Sequence, residues 1–112
     1  MTYPYADLPA FQERVASFVD MHALRAGAEA RVMDLVSEVG EVAKEVLKAT
    51  RYGEQPFATS PAWSDELADV FFSLICLANA TNVNLDQALD GALEKYRQRL
   101  AGRGDAGSGR TG

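Results

Sequence analysis

Histidine, cysteine and tryptophan each occur once in this chain, and each scarcity removes a class of chemistry. With only His22 and Cys76, no Cys/His spacing can assemble a zinc site. No Glu-x-x-His pattern supports a di-iron bundle, and triad-type nucleophilic catalysis has little to draw on. A single cysteine leaves no intrachain disulfide, which points to a reducing, cytoplasmic setting. Its neighbours are apolar, so a buried, inert thiol is expected at Cys76 rather than a nucleophile. No Gly-x-x-x-x-Gly-Lys loop is present to cradle phosphates. Basic residues are outnumbered, 11 against 16 acids, for a formal net charge of −5; a nucleic-acid partner, which calls for a basic face, is not expected. The longest apolar run, Val70 to Ala80, is interrupted by Ser73 and Asn79 and is too short to span a bilayer. The opening Met1-Thr2-Tyr3-Pro4-Tyr5 lacks the basic and apolar regions of a targeting segment. No membrane partner is expected.

What is present fits one all-α domain. The 112 residues are 47% hydrophobic and 24% charged, an ordinary globular balance. Apolar spacing predicts four helices. The first runs from about Leu8 to Leu24, with Asp7 as N-cap and Pro9 in the first turn. The second covers roughly Glu29 to Thr50 and is closed by Arg51-Tyr52-Gly53, with Gly53 the natural residue beyond the cap. The third spans about Pro61 to Thr81, with Ser60 as N-cap. The fourth follows the capping-box layout Asn84-Leu85-Asp86-Gln87 and runs to about Leu100. Residues 1–101 form the domain, and the Gly-rich residues 102–112 are expected to be a disordered tail.

The third helix is apolar nearly all round from Leu67 onward, so it should be buried on more than one side. Three neighbours scarcely cover it in so short a chain. The four-helix bundle is therefore expected to be completed by homo-oligomerisation, as a homodimer or homotetramer. Gly40, inside the second helix, costs about 1 kcal/mol relative to Ala and predicts a close approach by a neighbouring helix.

The acids carry the functional signal. Glu38 and Glu41 lie three residues apart on the second helix, as do Glu66 and Asp69 on the third. Residues i and i+3 differ by only about 60° around a helix, so each pair points one way. If the two helices pack side by side, four carboxylates converge, and such a cluster calls for a hard divalent cation, Mg²⁺ or Mn²⁺. Asp34 and Glu45 extend the stripe on the second helix. An ordinary solvated acidic face is the alternative, but like charges at i,i+4 are unfavourable, and an exposed face more often alternates sign. Carboxylates with a metal suit phosphoryl or nucleotidyl transfer, and Mg²⁺ often shares its shell with substrate phosphates. A helical cleft with four acids therefore reads as a site for a Mg²⁺–polyphosphate.

Ser37-Glu38-Val39-Gly40-Glu41-Val42-Ala43, followed by Asp65-Glu66-Leu67-Ala68-Asp69-Val70, resembles the MazG-like all-α nucleoside triphosphate pyrophosphohydrolases. Phe11-Gln12-Glu13-Arg14-Val15 and Asn84-Leu85-Asp86-Gln87-Ala88-Leu89 extend the likeness over about residues 8–100. The resemblance implies Mg²⁺-dependent hydrolysis of a nucleoside triphosphate, a dNTP or non-canonical NTP, to the monophosphate and pyrophosphate in nucleotide-pool house-cleaning. It implies Glu38, Glu41, Glu66 and Asp69 as metal ligands. The motif's first acid is Ser37 here, a departure shared with dCTP pyrophosphatase-like members, and it leaves the general base unassigned. Glu45, one turn beyond Glu41, is the candidate to orient or deprotonate water. In the last helix Ala92 and Tyr96 stand where the family often has lysine and asparagine.

Lys48, Arg51, Lys95 and Arg99 are candidates for phosphate contact, and Ser73 continues the Glu66/Asp69 stripe. Phe57, Trp63 and His22 are candidate walls of a base pocket between the first helix and the 54–63 loop. Two other readings stand beside this one: a dUTP/dUDP or phosphoribosyl-ATP hydrolase of the same superfamily, and an inactive helical module for dimerisation or regulation.

Overall fold

The computed structural model describes residues 7–103, which form four helices and, among the described residues, no strand. They are α1 (Leu8–Met21), α2 (Ala28–Ala49), α3 (Trp63–Ala80) and α4 (Leu85–Arg103). The residues before Asp7 and after Arg103, which include most of the expected tail, lie outside the described residues.

The start signals act as the sequence predicts at two helices. The Asp7 carboxylate accepts the Ala10 N–H at 2.9 Å, and Asn84 accepts the Gln87 N–H at 3.0 Å. At α3 the expectation is corrected. The helix begins at Trp63, not Pro61, because Ser60 heads a turn: its carbonyl accepts the Trp63 N–H and its hydroxyl the Ala62 N–H.

The ends of α1, α2 and α3 share one device. Leu24, Tyr52 and Val83 donate to carbonyls five residues back, at Val19, Leu47 and Ala78. The residues between, Ala23, Arg51 and Asn82, adopt left-handed φ of 54°, 49° and 57°. These are Schellman terminations built without glycine. They explain why α1 stops at Met21 short of Leu24, and why Gly53, at φ 91°, follows the cap rather than forming it. At the other end of the chain α4 runs on through Gly102 to Arg103, so those two residues are helix and not tail.

Helix α3 is the centre of the packing. It lies along α2 and against α1, while α4 bends 104° away from α3 and makes its main contact with α1. Edge-on aromatic pairs join α1 to α3: Phe11 to Phe71 at 5.7 Å and Phe18 to Phe72 at 6.2 Å. Ile75, Cys76 and Ala78 are the buried hydrophobic residues, so the free thiol sits in the core as expected. Leu67 and Leu74 of α3 stay open, as does Phe71 beyond its contact with Phe11. So does a helical stripe of α4, Leu89, Leu93, Tyr96 and Leu100. Gly40 also faces open space, with nothing within 4 Å of where a Cβ would stand. Among the described residues, no close helix approach requires it. No single helix among the described residues is long and apolar enough to cross a membrane.

Candidate metal centre

The register of α2 on α3 follows from three juxtapositions. Ser60, just before α3, donates to Glu45 at 3.1 Å. Glu38 meets Glu66 and Asp69. Arg31 shares a cavity with Cys76. Numbers fall along α2 as they rise along α3, so the helices run antiparallel and the spaced acids of each face one another.

At the middle of this seam one carboxylate oxygen from each of Glu38, Glu66 and Asp69 lies within 4.8 Å of the others. Glu38 and Glu66 are half-buried and Asp69 is exposed. Among the described residues, no lysine or arginine forms an ion pair with any of the three. The Glu38 carboxyl is held above its ordinary value, first by burial and then by repulsion from Asp69, Glu66, Glu41 and Asp34. A cluster of hard oxygen donors with its charge uncompensated fits a divalent cation of the Mg²⁺ or Mn²⁺ type.

The fourth expected ligand stands apart. Glu41 is exposed, lies outside the cluster and pairs with Lys44 at 3.8 Å. Glu45 is engaged elsewhere: its side chain, 14% exposed, accepts from Ser60 and lies 3.7 Å from Lys48. That carboxylate anchors the loop before α3 in this structure. Ser73 is buried one turn beyond Asp69. Trp63, one turn before Glu66, packs edge-on against Phe57 at 5.2 Å, so each ring is engaged by the other. His22 caps α1 and lies tilted against Phe18, ring centroids 4.5 Å apart. Lys95 and Arg99 lie over the Tyr96 ring on α4, at 5.2 and 5.9 Å. Arg51 is exposed at the end of α2. Of the residues singled out from the sequence, the structure thus gathers Glu38, Glu66 and Asp69.

Two polar groups, buried Arg31 and half-buried Asn79, carried no sequence signal. Arg31, 9% exposed, donates to the Leu24 carbonyl and lies 3.7 Å from Asp34. Asn79 is bonded to Gln12. An arginine on the helical stripe below Glu38 reads as a solvated charge until the α1–α2 turn closes over it.

Residues 27–103 match the MazG nucleotide pyrophosphohydrolase domain. The chain belongs to the MazG family. The matched segment contains both halves of the acidic cluster, and a MazG domain is all-α, as this chain is. Uncharacterized protein YpjD of Bacillus subtilis (strain 168) is 38% identical over 68 residues, which cover 58% of this MazG chain and 60% of the relative. No solved structure matches the chain. Family membership supports a nucleotide pyrophosphohydrolase type of activity, with the acidic cluster as the place for a metal.

Proposed function

We propose that the protein hydrolyses a nucleoside triphosphate, a dNTP or a non-canonical NTP, to the monophosphate and pyrophosphate in a Mg²⁺-dependent reaction. The observation that carries this reading is the convergence of Glu38, Glu66 and Asp69 from two helices with no cationic side chain among them. These three would hold the ion, and Mn²⁺ offers the same hard chemistry. The cation, when bound, supplies charge neutralisation for the phosphates and for the charge that develops in the transition state.

The chain's own groups do the rest. Glu41, free of the cluster and one turn from Glu38, accepts a proton from the attacking water. It takes the role expected of Glu45, whose carboxylate is tied to Ser60. The water oxygen bonds to the α-phosphorus as the bond to the bridging oxygen breaks, and pyrophosphate leaves. Lys48 and Arg51, toward the C-terminal end of α2, neutralise the departing pyrophosphate. The open apolar faces of α3 and α4 support assembly as a homodimer or homotetramer, and the reaction suits nucleotide-pool house-cleaning in the cytoplasm.

Pyrophosphate release from a panel of NTPs and dNTPs, with Mg²⁺, Mn²⁺ or EDTA, tests the proposal. Release that requires the metal and is lost in Asp69→Asn is expected. Release that persists in EDTA or in Asp69→Asn would overturn it.

A further inference from the structure

The α2–α3 seam has a second feature, two turns along from the acids. Arg31 precedes Glu38 by seven residues, and Cys76 follows Asp69 by seven. Seven residues are about 10 Å of helix and nearly two full turns, so both residues stay on the faces that carry the carboxylates. Here a cavity of about 300 Å³ opens between α1, the α1–α2 turn and α3. Val19, Ala16 and the buried Cys76 supply apolar wall, and Ala26 lines it from the turn.

The polar groups define what the cavity can take. Asp20 and Arg25 neutralise each other at 2.8 Å. The Asn79 side chain both donates to Gln12 and accepts from it, so it forms a wall and not a reader. Arg31 is left. Its guanidinium has five N–H groups, and its one hydrogen bond among the described residues is to the Leu24 carbonyl. Asp34, at 3.7 Å, balances the charge without a hydrogen bond. The remaining N–H groups of Arg31 have no hydrogen-bond partner among the described residues, and Arg31 lines the cavity. Two arginines balanced by two aspartates give the site no excess positive charge, which disfavours a phosphate. A flat, neutral ring with hydrogen-bond acceptors on its edge suits it.

We propose that this cavity receives the nucleobase of the substrate and that Arg31 selects a 6-oxopurine, donating to its O6 and N7. The phosphates of the same nucleotide belong at the acid cluster, about 10 Å along the helices. A guanidinium fork matches O6 and N7 together, whereas adenine sets an amino donor beside N7. The size of the cavity favours a purine over a pyrimidine. The inference rests on the pyrophosphohydrolase reading for the phosphate end, and on the cavity's own chemistry for the base.

Two measurements separate the two claims. GMP, AMP and CMP are titrated into the full chain in EDTA, followed by nuclear magnetic resonance of the Arg31 side-chain N–H and the Cys76 amide. Pyrophosphate release is then compared for GTP, dGTP, ITP, ATP and CTP with Mg²⁺. GMP should bind most tightly and shift both signals, and the oxopurine triphosphates should be preferred about ten- to a hundredfold, the range of one bidentate base contact. Arg31→Lys should erase that preference, and Ala26→Leu, which leaves the Arg31 bonds in place, should raise KM for GTP with kcat little changed. Equal binding of GMP and AMP, or a preference that survives both substitutions, would overturn the assignment. Brisk release without base preference sinks this inference and leaves the pyrophosphohydrolase reading standing. Selective GMP binding with no release from any triphosphate does the reverse.

Discussion

Gln12 and Asn79, 67 residues apart in the chain, exchange two hydrogen bonds: the Gln12 amide donates to Asn79 Oδ1, and Asn79 Nδ2 donates to the Gln12 carbonyl, both at 3.0 Å. The same Gln12 side chain donates to the Val83 carbonyl at 2.8 Å and accepts the Leu85 N–H at 2.9 Å. One residue of α1 thus fixes the last turn of α3, the link that follows it and the first residue of α4. It also sets one wall of the Arg31 cavity, because Asn79 lines it.

Replacing Gln12 by Ala should lower stability by about 1–3 kcal/mol, since part-buried polar partners are left unpaired. Thermal melts of Gln12→Ala, Asn79→Ala and the double variant would measure it. The double variant should be less destabilised than the two losses added together, because both remove the bond from Gln12 Nε2 to Asn79 Oδ1.

Glu38 makes metal-free stability depend on pH in a direction opposite to that of a salt-bridged acid. Its folded value lies above the ordinary 4.5, so the folded chain binds a proton more readily than the unfolded one. The ionised group opposes folding at neutral pH, and that opposition is relieved as pH falls through the raised value toward 4.5. Melting temperatures in EDTA across this range should rise less steeply on acidification for Glu38→Gln than for the parent chain. The variant should also be the more stable of the two at pH 7. With Mg²⁺ added, the parent alone should gain.

Gly40 lies in mid-helix with open space where its Cβ would be. Within one protomer, Gly40→Ala should stabilise by about 0.5–1 kcal/mol, the usual helix-interior difference. Gly91→Ala on α4, equally unhindered, is the control. A gain at Gly91 with a loss at Gly40, accompanied by a smaller particle in analytical ultracentrifugation, would place another copy of the chain against Gly40.

Ala23 ends α1 with φ at 54°. Ala23→Gly should raise stability by roughly 0.5–1 kcal/mol, since the left-handed conformation costs a Cβ-bearing residue more than glycine's added chain entropy. A denaturant midpoint shifted upward at unchanged slope would register it.

Sequence alone determined the elements and the chemistry they carry. The helices follow from apolar spacing and from short polar caps, and Asp7 and Asn84 act locally, within three residues. The pairing of Glu38 with Glu41, and of Glu66 with Asp69, is likewise a property of helical periodicity, and the paired-acid pattern they form is local. Helix ends were less legible, because Ala23, Arg51 and Asn82 stop three helices without glycine and Ser60 serves a turn and Glu45 instead of a cap.

Tertiary structure decided which acids meet. The antiparallel register brings Glu38 to Glu66 and Asp69, and the same register leaves Glu41 exposed beside Lys44. It also decided that Arg31 would be buried and Asn79 paired with Gln12, contacts between residues whose separation along the chain carries no period to read. Periodicity gives the face of a helix on which a side chain stands; only the packing of one helix on another decides what that face meets.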